Sequence, residues 1–109
     1  MSTSRVRTVT EETFSDEVLN APVPVLVDFA TAWCPPCRAL APILERIAKE
    51  TEGQAKVVAV SADEFPSLVA RFGVRGYPTI VAFSKGKERA RHLGVTGKEK
   101  LLQMLEACR

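Results

Sequence analysis

Residues 23–48, VPVLVDFATAWCPPCRALAPILERIA, hold the reading that decides the fold. The run 23–29 is almost continuously apolar, the pattern of a strand buried on both faces. Pro24, which has no N–H for a ladder, belongs near its start. Beyond Cys37 the period changes. Leu40, Ile43, Leu44, Ile47 and Ala48 recur at i, i+3, i+4, i+7 and i+8, one stripe of an amphipathic helix, and Pro42 inside it should kink it.

Between strand and helix lies Trp33-Cys34-Pro35-Pro36-Cys37-Arg38. With Cys34 as N-cap, Pro35 takes the first helical position, where a missing N–H costs nothing and a fixed φ helps. Pro36 removes the next donor, so of the N–H groups an N-cap side chain usually reaches, only that of Cys37 remains. Cys34 Sγ is therefore expected to accept from the Cys37 N–H. A helix N-terminus favours negative charge and lowers the pKa of a cysteine held there, and the thiolate is the nucleophile in disulfide exchange. Two thiols at this spacing can also close on each other. The arrangement reads as a cycling dithiol and disulfide, with Cys34 exposed and attacking, Cys37 shielded and resolving.

Outward from this segment, strands and helices alternate. A short strand is expected over 6–9, a helix over 11–19 capped by Thr10, a strand over 57–62, and a helix over 66–72 ended by Gly73. Runs 79–83 and 89–93 read as a hairpin turning at Lys85-Gly86. Thr96-Gly97-Lys98-Glu99 has the pattern of a capping box and opens a last helix with the stripe Leu101, Leu102, Leu105 and Cys108. The fold class is α/β, a mixed sheet with helices on both faces. No repeat, low-complexity tract or linker divides the chain, so residues 1–109 read as one domain.

Composition narrows the function classes. The chain of 109 residues is 46% hydrophobic and 26% charged, with a net charge of +2, which gives no strong pull toward nucleic acid or a membrane surface. No apolar stretch approaches the length of a membrane span, and residues 1–14 lack the apolar centre of a secretory leader. A cytoplasmic, reducing location is the expectation. Three cysteines make a redox pair a better reading than a disulfide framework. Zinc, the rival reading of two close cysteines, wants four ligands; only Cys108 and His92 remain, distant and unpaired, so neither metal nor bound cofactor is expected.

The chain resembles the thioredoxin family over nearly its whole length. The motifs that carry the resemblance are Val27-Asp28-Phe29, Trp33-Cys34-Pro35-Pro36-Cys37-Arg38 and Ala41-Pro42-Ile43-Leu44. Gly76-Tyr77-Pro78-Thr79 is similar to the family's cis-proline loop, and Lys85-Gly86 and Leu93-Gly94-Val95 to its later glycine positions. The resemblance implies a five-stranded central sheet flanked by four helices. It also implies a cytosolic protein-disulfide reductase that donates electrons to oxidised protein targets; nothing in the sequence suggests more than a monomer when reduced. A flavin-containing, NADPH-dependent thioredoxin reductase would recharge it. In the implied cycle Cys34 attacks a target disulfide and Cys37 resolves the mixed disulfide. The chain departs from the family pattern at Pro35, where glycine is commoner. Ala30 stands where many members carry a second tryptophan, and Ala59 where many carry a lysine facing the buried aspartate. Lys56 cannot replace that lysine, because three residues along a strand puts it on the opposite face.

The remaining site residues each carry two readings. Asp28 is either the proton acceptor for Cys37, its pKa raised by burial, or a strand-end carboxylate that reaches water or a backbone N–H. Pro78 is an ordinary turn proline or, as the family loop implies, a cis residue presenting the Tyr77 backbone to a substrate strand. Trp33 packs on its own helix or forms, with Pro36, a docking patch completed by Ala62, Gly76, Tyr77, Gly94 and Val95. Cys108 is a semi-buried structural thiol or a partner in an intermolecular disulfide. His92 and the cluster Lys85, Lys87, Arg89, Arg91 read as a solvated edge. An isomerase or oxidant of folding proteins, and a binding module with redox secondary, are the competing functions.

Overall fold

In the computed structural model, residues 4–108 are described. The one-domain reading of 1–109 and the leader reading of 1–14 extend past these limits, at residues 1–3 and 109. The expected buried strand is β2, Val25–Ala30, and lies at the centre of the sheet. Its neighbours are β3, Lys56–Ser61, parallel to it, and β4, Thr79–Ser84, antiparallel. The two-residue strand β1, Arg7–Thr8, pairs parallel to the outer side of β3, and β5, Lys87–Leu93, antiparallel to β4. The order is β1-β3-β2-β4-β5. Five strands and four helices, among the described residues, make an open mixed sheet.

Helix α1, Pro35–Glu50, returns the chain from β2 to the start of β3. It runs unbroken through Pro42. Its buried stripe, Leu40, Leu44 and Ile47, packs with Leu26, Val57 and Ile80 of the sheet and with Leu101, Met104 and Leu105 of α3, Lys98–Glu106. The opposite face carries Val25, Val27, Phe29, Val58, Val81 and Phe83. They are covered by Phe14 and Val18 of the N-terminal segment and by Leu68 of α2, Pro66–Arg71. Alternate residues of one strand feed alternate cores, so β2 is apolar on both sides except at Asp28.

Four local expectations are corrected. The first helix does not run over 11–19. Thr10 and Thr13 cap each other, Thr13 N–H to Thr10 Oγ1 at 3.2 Å and Thr10 N–H to Thr13 Oγ1 at 2.8 Å. The chain then winds as a π-helix over Ser15–Leu19, with Asn20 N–H donating to the Ser15 carbonyl at 2.8 Å. The first strand is shorter than 6–9 and covers Arg7–Thr8; Val9, just past it, is buried in the core while its N–H still donates to the Ala59 carbonyl at 2.9 Å. At the last helix no capping box forms. Gly97 is the N-cap and makes no side-chain bond, so Thr96 stands one residue too early to cap. The α3 stripe also includes Met104, which replaces the half-buried Leu102 at the core.

The β4–β5 hairpin turns on Lys85 (φ 54°) and Gly86 (φ 79°). Two consecutive positive φ values match the right-handed twist of the flanking strands. A bulge at Ala82/Phe83 shifts the register, so Phe83 faces Glu88.

Candidate active site

The loop 31–34 between β2 and α1 is held from two sides. Asp63 accepts from the Ala32 N–H at 3.2 Å, and the Arg38 guanidinium donates to the Ala32 carbonyl at 3.2 Å. Cys34 is the N-cap of α1 with an extended backbone, and Pro35 and Pro36 follow in the first helical positions. Cys34 Sγ accepts from the Cys37 N–H at 3.1 Å. The two cysteines form a disulfide with Cα atoms 5.2 Å apart, inside the range such a bond requires. The prolines leave the Cys37 N–H as the donor in reach, so the sulfur of residue 34 sits on the positive end of the helix.

Cys34 is not exposed in this oxidised state. It is 8% exposed against 6% for Cys37, so in the closed pair the two residues differ little in access. Trp33, by contrast, stands 86% exposed, and Pro35 and Pro36 are exposed beside it.

Asp28 lies on the face of β2 that α1 covers. Its partners in register are Ala59 on β3 and Ile80 on β4. Cys37, Leu40 and Leu44 are buried positions of α1 at i, i+3 and i+7, so Cys37 is turned to that same face. Asp28 is 6% exposed, and its Oδ1 has no hydrogen-bond partner among the described residues. Burial alone pushes its carboxyl from the ordinary 3.8 up to about 7. Lys56 gives no relief. It pairs with Val25 on the opposite face, where its Nζ holds the Glu17 carboxylate at 2.9 Å.

At the start of β4, where Thr79 is in register with Phe29 near the end of β2, the Tyr77–Pro78 peptide bond is cis. Thr79 Oγ1 donates to the Gly76 carbonyl at 2.6 Å, and the Gly94 N–H donates to the Pro78 carbonyl at 2.8 Å, which ties the loop to the end of β5. Gly94 has φ +98°, a conformation that L side chains rarely adopt.

The expected docking patch is revised at three positions. Ala62 is buried, its N–H bonded to the Ala30 carbonyl at 2.8 Å. The Tyr77 ring packs against the core on the α2 side, where a large ring gains more from burial than from solvent. Leu93 was not among the expected residues, yet it is 61% exposed. A Cβ added to Gly76 would meet its Cδ1 at 3.0 Å, so Gly76 makes room for it. The signal was a lone large apolar residue ending the charged strand Lys87–Leu93. The exposed large hydrophobics are Trp33, Leu93 and Val95.

Cys108 is half-buried beyond α3, its Sγ donating to the Met104 carbonyl at 3.4 Å, and burial raises its pKa. Among the described residues no group of three or more His, Cys, Asp or Glu could hold a metal ion, and no helix is long and apolar enough to cross a membrane.

Comparison with known proteins agrees with this geometry. The thioredoxin family model matches residues 5–107. Thioredoxin 1 of Nostoc sp. (strain PCC 7120) is 45% identical over 98 residues, covering 90% of this chain and 92% of its own. Thioredoxin of Rickettsia bellii is 39% identical over 97 residues, 89% and 92% of the two chains. The chloroplastic M-type thioredoxin of Chlamydomonas reinhardtii is 40% identical over 98 residues, 90% of this chain and 70% of its own.

Proposed function

We propose that this chain, which belongs to the thioredoxin family and is a thioredoxin-type protein-disulfide reductase, divides its chemistry among Cys34, Cys37 and Asp28. Cys34, as thiolate, attacks one sulfur of a target disulfide and expels the other. Cys37 then attacks Cys34 Sγ, its proton passing to Asp28, and the reduced target leaves. The observation that carries this assignment is the Cys37 N–H on Cys34 Sγ at the head of α1, which stabilises negative charge on residue 34 and not on residue 37. The orphaned Asp28 carboxyl, raised to about 7, matches the pKa a proton acceptor needs near neutrality.

Trp33, Pro36, Gly76, Tyr77 through its backbone, Gly94 and Val95 form the surface on which the target strand lies, with the buried cis Pro78 fixing how the Tyr77 backbone is presented and Pro35 holding the shape of the turn. Leu93 joins them. Protein substrates and a reductase partner go with the family; the finer reading is a flavin-containing, NADPH-dependent thioredoxin reductase as electron source. The chain serves as a cytoplasmic electron donor, a monomeric single domain over 1–109. Relatives of bacterial source support that location, and a chloroplastic relative marks the alternative compartment.

The test is to replace each cysteine in turn. Cys37→Ser should accumulate a mixed disulfide with an oxidised protein target, visible on a non-reducing gel, and Cys34→Ser should accumulate none. Trapping by Cys34→Ser would reverse the two roles.

A further inference from the structure

Asp28 has unlike neighbours on its two sides. Toward β4 its partner Ile80 is fully buried, and Leu26, two residues earlier on the same face, is fully buried as well. Toward β3 its partner Ala59 is only partly buried, and so is Ala30, two residues further along the same face. Between them lies a cleft of about 210 Å3. Thr8, Ala30, Thr31, Ala32, Ala59, Val60 and Ser61 line it, Val60 being the one whose side chain belongs to the opposite core. Thr8 is in register with Ala59, and Ser61 with Ala30, so all four belong to the sheet face that carries Asp28.

We propose that this cleft between Ala30 and Ala59 is the route by which the proton held on Asp28 exchanges with solvent, independently of the Cys34 face. The inference rests on the reading that Asp28 takes the Cys37 proton. The surface around Cys34 is covered by a target while the second exchange step runs, so a proton delivered to Asp28 needs another way out. The alanines supply no chemistry; they leave space. A water occupies about 30 Å3 of liquid, so the cleft has room for several, next to the hydroxyl residues Thr8, Thr31 and Ser61. Among the described residues no charged side chain lines the cleft. Burial is the one cause of the Asp28 shift, Lys56 is tied to Glu17 on the other face, and Asp63 is engaged at the Ala32 N–H.

The step balances as follows. Cys37 Sγ bonds to Cys34 Sγ as the Cys34–target bond breaks; the target sulfur leaves with the electron pair, and the Cys37 proton moves to the Asp28 carboxylate. Asp28 then passes that proton to water in the cleft and is again a carboxylate.

The experiment uses formate as a replaceable carboxylate. Asp28→Ala should slow resolution of the mixed disulfide about 100-fold, and added formate should recover about tenfold of that, the scale of general-base catalysis. In Asp28→Ala carrying Ala30→Trp, which fills the cleft, the formate gain should vanish. Asp28→Ala carrying Ala59→Leu fills it from the other wall and serves if the tryptophan prevents folding, which near-ultraviolet circular dichroism reports. A formate gain that survives filling overturns the route, and so does its absence in Asp28→Ala alone. If Asp28→Ala does not slow resolution at all, the acid–base reading falls and the route with it.

Discussion

Replacing Asp28 by asparagine removes the titration and keeps the shape, which isolates what burial of this carboxyl does to the fold. The carboxyl titrates at about 7 in the folded chain and at an ordinary 3.8 once unfolding returns it to water. Because the folded pKa is the higher one, the folded state holds a proton the unfolded state has lost between these two values. Stability from this group is therefore fully present below pH 3.8, falls as pH rises, and is gone above pH 7. The interval of about 3 pH units, at about 1.36 kcal/mol per unit, amounts to about 4 kcal/mol. Asp28 is 6% exposed, so solvent screening reduces this little. The assay is urea unfolding of the oxidised protein and of Asp28→Asn at a series of pH values. The disulfide keeps Cys34 and Cys37 out of the titration, and the other groups cancel in the difference. The stability of Asp28→Asn relative to the parent should rise by about 4 kcal/mol between the acid and alkaline ends, whatever constant offset the amide introduces. A difference that stays flat to within about 1 kcal/mol would mean that Asp28 reaches water or a partner in the folded state, and the reasoning from burial would fail.

Trp33→Ala should leave stability within about 0.5 kcal/mol, as for other exposed positions, because its side chain is 86% exposed. The same change should raise KM for a protein disulfide at least about fivefold, the effect of losing about 1 kcal/mol of an exposed aromatic anchor; an unchanged KM would remove Trp33 from the target surface. At the hairpin, Lys85 holds φ 54° without being glycine, so Lys85→Asn should raise the urea midpoint by about 0.5 kcal/mol of stability. Gly86→Ala should lower it by about 1–2 kcal/mol, since Gly86 has φ +79° and a Cβ there would also meet the Leu19 carbonyl oxygen at 3.4 Å. Opposite signs would contradict the turn assignment.

Much of the site was legible from residues 23–48, because its main interactions are local. An N-cap sulfur finds its donor three residues on, two prolines restrict the choice to the Cys37 N–H, and the apolar stripe of α1 names the face that meets the sheet. The hairpin at Lys85-Gly86 was legible for the same reason. What the sequence left open involves partners far along the chain. Leu93 belongs to the surface because Gly76, 17 positions earlier, makes room for it. Tyr77 packs against the core on the α2 side, which is assembled from residues far along the chain and not from its neighbours in the loop. The capping-box pattern at 96–99 failed because the helix starts after Gly97, one residue later than the pattern needs. Cys34 is buried in the closed pair, and a spacing does not reveal how deeply such a pair will sit.

By itself the sequence determined the alternation of strands and helices, the redox pair at a helix N-terminus and the absence of a lysine at position 59, since each depends on residues within a turn or two. Only the tertiary structure decided how Asp28 is insulated. Its environment is made by Ile80 and Ala59, brought beside it by strands in the order β1-β3-β2-β4-β5. Desolvation is a property of everything that surrounds a group, and no local pattern encodes it.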